Sequence, residues 1–359
     1  MCTFVRRILK AVRHPRRASQ WLRDRWKTPP ASDVLPPEIE ARCRRLPRER
    51  VHMGFVPDEF ALEPEPADGT AYQIRYGDRL LGTTVPIDSL RDTCRGPCFL
   101  VGTGPSIQEI DFSRLTPWPC VGVNGSILKF DEHGFDPDFY TITTLDFFHN
   151  RGELLESVVR SGTTCFFPFW GLGLLAEQAP ETLSDARLVL ADSINRRYGQ
   201  RSLGEDEFRR TWQEEPDFAL HPTVSRGDKV GFSRDLVKGY FHGENILYTA
   251  LQVAYYLGFR QMFILGMDLN YSGPKPRFYE TTKDSRPTWI DDSFERSIVP
   301  CFEVVRGLMD EGELAVYNLS LGSRLSGHLI PKMGFEDALR MIAGEEQAPG
   351  PADRRDGDQ

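Results

Sequence analysis

The stretch of residues 96–106, GPCFLVGTGPS, decides the fold. Its apolar run at 98–101 is typical of a strand buried in a parallel sheet. Glycines follow at once, and because they lack a Cβ atom the chain can turn tightly there and approach a ligand. Proline and serine then suit the first turn of a helix, whose free N–H groups attract anions. We name this segment the glycine turn and predict that it binds phosphate through Gly102, Thr103, Gly104, Pro105 and Ser106.

Short apolar strands alternate with helical segments along the following chain. The run CVGV at 120–123 leads into Asn124, Gly125 and Ser126, and the run at 139–143 leads to Asp146. Ligands bind beyond the carboxyl ends of the strands in open parallel sheets, so we expect these residues to face the same crevice as the glycine turn. The alternatives are that each residue only shapes its loop: Asn-Gly as a turn, Asp146 as a helix cap and the glycine turn as a tight βα connection.

Two later segments repeat the pattern of a buried element with polar residues at its end. His242, Gly243 and Asn245 precede an apolar helix that Gly258 is expected to end, and its N-terminus offers N–H groups to a ligand. The strands that follow end in a second set of candidate site residues, namely Asp268, Tyr271, Tyr279, Asn318 and Ser320. The alternation of strands and helices predicts a Rossmann-like, doubly wound, mostly parallel α/β sheet.

Charge and cysteine content exclude several classes of protein. The 359 residues carry a net charge of -8, so nucleic-acid binding is not expected. Seven scattered cysteines without a CxxC pair indicate reduced thiols in a cytosol and no zinc site. The N-terminus differs, because residues 1–27 carry nine lysines and arginines and one acidic residue. An amphipathic helix there would lie on an anionic membrane surface, although a solvated basic arm fits equally well.

Composition also predicts how the chain is divided. Residues 1–27 form the basic arm, and residues 28–94 form a proline-rich linker with an accessory segment. Residues 95–343 form the nucleotide-binding catalytic domain, in which 185–237 is charged and irregular and is expected to be an insertion or lid. Residues 344–359 have too little apolar content to fold and are expected to be disordered.

Two blocks of sequence carry a family resemblance. The first is FLVGTGPSIQEIDFSRL at 99–115 with VGVNGS at 121–126, and the second is GENILYTALQVAYYLGFRQMFILGMDLNY at 243–271. They resemble the MptE-like family, whose type is 6-hydroxymethylpterin diphosphokinase, and the related bacterial sialyltransferases of glycosyltransferase family 42. The resemblance spans residues 98–326 and implies a glycosyltransferase A-like variant of the fold.

The resemblance also implies roles for single residues. In family 42 an asparagine at the matching strand end contacts the cytidine nucleotide, which implies that role for Asn124. Tyr271 and Tyr279 match tyrosines that hydrogen-bond the leaving phosphate. The family's arginine near the helix start and its catalytic histidine are absent here. The remaining candidates for the general base are Asp268, which we prefer, His242, the pair Asp291 and Asp292, and His328.

Three functions fit these observations. The first is a glycosyltransferase that moves a sugar from a nucleotide-activated donor, CMP-linked by the resemblance, to a hydroxyl of a polysaccharide, lipid-linked or protein acceptor. It would work in the cytoplasm at the inner face of the membrane and need no cofactor, since the nucleotide sugar is a substrate. The alternative is a diphosphokinase using ATP, with Mg²⁺ held by Asp146 and Asp268. The third is a non-catalytic nucleotide-binding protein.

One pair of substitutions separates a binding role from a structural one. On the sequence alone, we expect Asn124→Ala and Gly104→Val to weaken nucleotide binding and to leave the melting temperature nearly unchanged.

Overall fold

The computed structural model describes residues 35–66, 68–270, 277–279 and 290–346. The first helix of the described chain is α1, Pro37–Arg44. A three-stranded antiparallel sheet follows, in the order β1–β2–β3. Its strands are β1 Phe60–Glu65, β2 Asp68–Tyr76 and β3 Arg79–Thr83. The accessory segment is therefore a small sheet placed before the main domain.

The main sheet has seven strands in the order β12–β11–β4–β5–β6–β7–β8, and every neighbouring pair is parallel. This confirms the predicted α/β fold with a mostly parallel sheet. The strands are β4 Pro97–Val101, β5 Cys120–Val123, β6 Phe139–Thr141, β7 Thr164–Phe167, β8 Arg187–Leu190, β11 Gln261–Leu265 and β12 Ala315–Asn318.

The strand order reverses beside β4, and this reversal locates a crevice. From β4 the chain proceeds outward on one side through β5 to β8, whereas β11 and β12 lie on the other side. In doubly wound sheets such a switch point opens a crevice at the carboxyl ends of the two central strands, and ligands bind there. We use the word crevice for the space at the carboxyl ends of β11, β4 and β5. The glycine turn follows β4 and therefore lies at its centre.

Helices cover both faces of the main sheet. Successive side chains of a strand point to opposite faces, so apolar strands need cover on both sides. Leu100 packs into the core on one face, and Phe99 and Val101 pack into the core on the other, all three fully buried. The helices are α2 Ile127–His133, α3 Leu145–Asn150, α4 Gly152–Arg160, α5 Phe169–Gln178, α6 Glu205–Trp212, α7 Ile246–Leu257, α8 Ile290–Ser293, α9 Val299–Asp310 and α10 Phe335–Glu346.

Helix α7 matches the sequence prediction at both ends. Asn245 is its N-cap, with a side chain that accepts a hydrogen bond from the N–H of Leu247 at 2.9 Å. Gly258 ends it in the left-handed region, with φ of 107°. The helix runs antiparallel to the strand β11 that follows, so its N-terminus lies on the side of the sheet where the crevice opens.

The predicted α-helix after the glycine turn is wrong. Residues Pro105–Glu109 form one 3₁₀ segment, and Phe112–Leu115 form another. The first ends because Ile110 is extended, and the second begins where the Asp111 side chain accepts a hydrogen bond from the N–H of Ser113 at 3.0 Å. A 3₁₀ turn has poorer hydrogen-bond geometry than an α-helix and a much smaller dipole. Anion binding by a helix dipole is therefore not available at this turn.

The segment predicted as an insertion or lid packs into the domain. Strand β8 lies within its span, and the remainder includes α6 and a two-stranded antiparallel pair, β9 Phe218–Ala219 and β10 Phe232–Ser233. Phe208 and Phe232 are buried in the same core as α7. Arg234 forms two hydrogen bonds with Glu313, at 2.9 and 2.6 Å, which attach the segment to the end of α9. These contacts indicate a packed insertion.

The ends of the chain fall outside the described residues. The basic arm at 1–27, the start of the linker and residues 347–359 are not described, so the predictions for the arm and for nearly all of the tail remain predictions. No helix in the described part of the chain combines the length and apolar character needed to span a bilayer.

Candidate active site

The glycine turn is held closely against the loop after β11. Gly102 donates its N–H to the carbonyl of Leu265 at 2.8 Å, and Gly104 donates its N–H to the carbonyl of Gly266 at 3.0 Å. A Cβ atom on Gly104 would lie 1.9 Å from Oδ2 of Asp268. The two glycines are thus required by the approach of two loops, and their N–H groups are not free for phosphate. Phosphate binding by the glycine turn as a whole stays a prediction.

Asp268 occupies the place where the sequence predicts an anion. Ser106 donates its hydroxyl to Oδ2 of Asp268 at 2.8 Å, and its backbone also hydrogen-bonds the carboxylate. Burial raises the pKa of Asp268, although the hydrogen bonds from Ser106 act in the opposite direction. The half-buried carboxylate lies at the edge of the crevice. A raised pKa and a position at the strand end suit a group that accepts a proton from a substrate hydroxyl.

Ser320 and Asn318 extend this network from β12. The Ser320 hydroxyl lies 2.8 Å from the Ser106 hydroxyl, and its N–H donates to Oδ1 of Asn318 at 3.0 Å. Asn318 is fully buried, and its Nδ2 has no hydrogen-bond partner among the described residues. The structure therefore brings Ser106, Asp268, Asn318 and Ser320 together as predicted, in a chain of polar groups that runs from β12 to the glycine turn.

Asn124 holds a strained backbone and an unsatisfied side chain. Its φ is 47°, in the left-handed region that non-glycine residues rarely adopt. Its Oδ1 atom is buried and has no hydrogen-bond partner in the described structure. An unpaired buried carbonyl oxygen costs free energy unless a ligand supplies a donor. Asn124 directly follows β5, at the edge of the crevice, and a ligand N–H or O–H group that reached the buried oxygen would satisfy it.

Tyr279 lies on the turn that contains Asn124. A Cβ atom on Gly125 would be 2.3 Å from Cε1 of Tyr279, so the ring packs directly against the Cα of this glycine. The neighbouring Phe278 donates its N–H to the carbonyl of Thr103 at 2.9 Å, which ties the segment to the glycine turn. Tyr279 therefore reaches the crevice as predicted. Tyr271 lies outside the described residues.

The residues before α7 have partners that limit their roles. The Nδ1 atom of His242 accepts the N–H of Glu244 at 3.2 Å, and burial lowers the pKa of the imidazole. A neutral ring with Nδ1 as acceptor carries its proton on Nε2, so His242 is arranged to donate a hydrogen bond and not to act as a base. Gly243 has φ of 63°, and Asn245 uses its side-chain oxygen in the helix cap.

Four of the sequence candidates have other partners or an exposed position. Asp146 lies in the first turn of α3, where Asn150 donates to it at 2.8 Å. Asp146 follows β6 and Asp268 follows β11. Because β5 and β4 lie between these two strands, the strand ends are about 14 Å apart along the edge of the sheet. Arg324 binds Asp291 at 2.5 Å, Asp292 is exposed beside it, and His328 is exposed. No group of three or more His, Cys, Asp or Glu side chains suited to a metal occurs among the residues described.

A cluster of charged residues lies beside α7 and was not predicted from the sequence. Lys229 pairs with Glu244, and Arg196 lies 3.5 Å from Asp228, which also accepts the Ser193 hydroxyl at 2.7 Å. Burial alone would raise the pKa of Glu244, but Lys229 and the neighbouring positive charges hold it below its usual value. Apart from Glu244, these residues come from the insertion, whose irregular sequence did not indicate which charges would meet the helix start.

Tyr140 is a second residue that sequence reasoning missed. It is fully buried on β6, and its hydroxyl lies at the Asn124 turn. A Cβ atom on Gly122 would be 2.4 Å from the tyrosine ring. A glycine inside an apolar strand, with a tyrosine on the next strand, is the pattern that could have indicated the contact.

The crevice thus combines an unsatisfied amide oxygen, a tyrosine, a carboxylate of raised pKa and two hydroxyl groups. Such a set can hold a phosphorylated ligand by hydrogen bonds and accept a proton from an attacking hydroxyl.

Comparison with known proteins agrees with a sugar-transfer role. The model of the family "3-deoxy-D-manno-octulosonic acid transferase WaaZ" matches residues 86–335. A protein of Salmonella typhimurium strain LT2, named "Probable 3-deoxy-manno-octulosonic acid transferase", is 25% identical over 237 residues, which cover 65% of this chain and 85% of the relative. A protein of Escherichia coli K12 with the same name is 25% identical over 246 residues, covering 68% and 83%.

Two solved structures show a weaker likeness. The MAf glycosyltransferase from Magnetospirillum magneticum AMB-1 aligns with a TM-score of 0.37 and 13% identity, over 71% of this chain and 38% of that one. The sialyltransferase CstII from Campylobacter jejuni, solved with cytidine-5'-monophosphate, aligns with a TM-score of 0.37 and 14% identity, over 66% of this chain and 84% of that one.

Proposed function

Because the chain belongs to the 3-deoxy-D-manno-octulosonic acid transferase family of WaaZ, we propose that it transfers 3-deoxy-manno-octulosonic acid from a CMP-linked donor to a hydroxyl of a cell-surface glycan. The chain is a glycosyltransferase of polysaccharide biosynthesis. The donor nucleotide and the acceptor are the proposed parts. The family match favours this function over the diphosphokinase, and the MptE-like assignment is not confirmed.

The observation that carries the donor proposal is the unsatisfied Oδ1 of Asn124 at the switch point of the sheet. Cytosine has an exocyclic amino group, and ribose has hydroxyl groups, so a cytidine nucleotide supplies donors for this oxygen. Uracil offers its ring N3–H in place of an amino group, so a comparison of CMP with UMP tests which base the site prefers. The Tyr279 ring packs on the same turn, where its hydroxyl can donate to the phosphate of the nucleotide.

Asp268 is the proposed general base. The acceptor hydroxyl attacks the anomeric carbon of the donor sugar, the bond from that carbon to the phosphate oxygen breaks, and CMP leaves. Asp268 takes the proton of the attacking hydroxyl, and its raised pKa favours this transfer. Ser106 orients the carboxylate by donating to Oδ2 at 2.8 Å. Hydrogen bonds from Tyr279 would stabilise the charge that develops on the departing phosphate.

Binding of CMP should raise the melting temperature of the purified protein. A ligand that binds only the folded state at 100 times its dissociation constant stabilises the protein by about 2.7 kcal/mol. We expect this stabilisation with CMP, both with and without Mg²⁺. The Asn124→Ala variant should lose most of the stabilisation by CMP, while its melting temperature without ligand stays near that of the wild type. The measurement is a thermal-shift titration with CMP, UMP and ATP, followed by an assay of CMP release from the CMP-linked sugar with a lipid-linked glycan acceptor.

The outcomes separate the candidate functions. Stabilisation by CMP together with acceptor-dependent CMP release supports the transferase. Stabilisation by ATP with Mg²⁺ alone would replace it with the diphosphokinase, and CMP binding without turnover of the donor would favour a nucleotide-binding protein.

We also propose that residues 1–27 hold the enzyme at an anionic membrane surface near its acceptor. Their basic residues and apolar positions support this, since each Lys or Arg near an anionic surface contributes about 1 kcal/mol. The full chain should sediment with vesicles containing phosphatidylglycerol and not with phosphatidylcholine vesicles, and the binding should weaken at high salt. A chain lacking residues 1–27 that sediments equally well would contradict the proposal.

A further inference from the structure

The hydroxyl of Tyr140 is the centre of the hydrogen bonds that shape the Asn124 turn. It donates to the carbonyl of Asn124 at 2.5 Å and accepts the N–H of Ile127 at 2.9 Å. It also lies 3.2 Å from the hydroxyl of Ser126, which in turn accepts the N–H of Val123 at 2.9 Å. One side chain on β6 therefore hydrogen-bonds the backbone on both sides of the turn that follows β5.

This fixation is needed because the turn is strained. Asn124 has φ of 47°, a conformation that costs a non-glycine residue free energy and persists only when its surroundings enforce it. The ring of Tyr140 is fully buried and fits against Gly122, where any Cβ atom would displace it. The ring is therefore locked, and the position of its hydroxyl is set by the packing of the sheet.

The same backbone conformation determines where the Asn124 side chain points. Its Oδ1 is buried and unsatisfied among the residues described, so no hydrogen bond within that part of the chain holds the oxygen in place. Loss of the bond from Tyr140 would free the Asn124 carbonyl and allow the turn to relax. The side-chain oxygen would then move or become solvated, and a ligand would have to reorder it.

We infer that Tyr140 is a positioning residue for donor binding, which acts by holding Asn124 in the conformation that presents Oδ1 to the crevice. The inference rests on the proposed function for the identity of the ligand, because Asn124 is the group that would contact the nucleotide. Tyr140 itself is fully buried, so it would act through the turn and not by direct contact with the nucleotide.

The test is the Tyr140→Phe substitution in the full chain, which keeps the ring and removes only the hydroxyl. We expect the Kd for CMP and the KM for the donor to rise about tenfold, as loss of one buried hydrogen bond allows. Adding Asn124→Ala to this variant should weaken CMP binding less than about twofold further, because Asn124 is already out of position. The control is Tyr256→Phe, because Tyr256 is also buried and donates to a backbone carbonyl, that of Ile87, at 3.1 Å.

Both variants should lose some stability, but only Tyr140→Phe should weaken CMP binding. Unchanged CMP binding in Tyr140→Phe, or equal weakening in Tyr256→Phe, would overturn the inference. A second measurement does not depend on the ligand: the Ile127 N–H loses its acceptor in Tyr140→Phe, so its hydrogen exchange should accelerate. If the wild type binds no CMP, the proposed function fails. Faster exchange at Ile127 in Tyr140→Phe would then still support the role of Tyr140 in holding the turn, and unchanged exchange would rule that role out.

Discussion

Replacing Asp268 with asparagine is expected to lower the rate of sugar transfer by about 10² to 10⁴-fold, the usual contribution of a general base. The variant should fold, because an asparagine oxygen can still accept the hydroxyl of Ser106 that now binds Oδ2 at 2.8 Å. Burial raises the pKa of this carboxyl, so the wild-type protein loses free energy of folding when the group ionises. Removing the charge should therefore leave the melting temperature at neutral pH unchanged or higher.

The pH dependence gives an independent check. A base works only when deprotonated, so wild-type kcat should rise with pH through the pKa of Asp268, which lies above the ordinary value for aspartate. The asparagine variant should lose this acid limb. Asp310→Asn is a suitable control, because Asp310 is exposed on α9 and its ion pair among the described residues is with Arg306. If Asp268→Asn kept more than about a third of wild-type turnover, another group would have to be the base.

The Gly104→Ala substitution should destabilise the protein by about 3 kcal/mol, the upper range for an overpacked site. The new Cβ atom would lie 1.9 Å from Oδ2 of Asp268 and 2.6 Å from the carbonyl oxygen of Gly266. The second contact involves backbone, which cannot move without separating the two loops. Chemical denaturation monitored by circular dichroism would measure the loss.

A matched control comes from Gly152, where a Cβ atom would meet no heavy atom within 4 Å. Gly152→Ala, in the first turn of α4, should change stability little or increase it slightly. Equal stability of the two variants would show that the loops after β4 and β11 are not in close contact. The expectation from sequence, that Gly104→Val leaves the melting temperature unchanged, is therefore replaced by loss of stability.

The fold could be predicted because its signals are local. An apolar run such as residues 98–101 can be buried on both faces only in a covered parallel sheet, and Gly258 can end α7 because it adopts positive φ. Each of these features depends on residues that are close together in the sequence. The order of the strands depends on contacts between distant segments, so the switch point beside β4 became known only from the structure.

The site was predicted in part, for the same reason. Strand ends indicated Asn124, Asp268 and Ser320, since the residues after a buried strand must lie at the edge of the sheet, and the structure has all three shortly after β5, β11 and β12. Their roles in binding and catalysis stay predictions. The partners of the glycine turn could not be predicted, because Gly104 and Asp268 are 164 residues apart and meet only in the folded chain. Tyr140 was missed for a different reason: an aromatic residue in an apolar strand is indistinguishable from ordinary core until the neighbouring turn is known.

A crystal structure of the protein with CMP would show whether the crevice beside β4 binds the donor nucleotide. We expect CMP at the carboxyl ends of β4, β5 and β11, with a donor group within about 3.2 Å of Oδ1 of Asn124 and the phosphate near Tyr279. CMP bound elsewhere on the protein, or in the crevice with Asn124 Oδ1 still unpaired, would contradict this expectation.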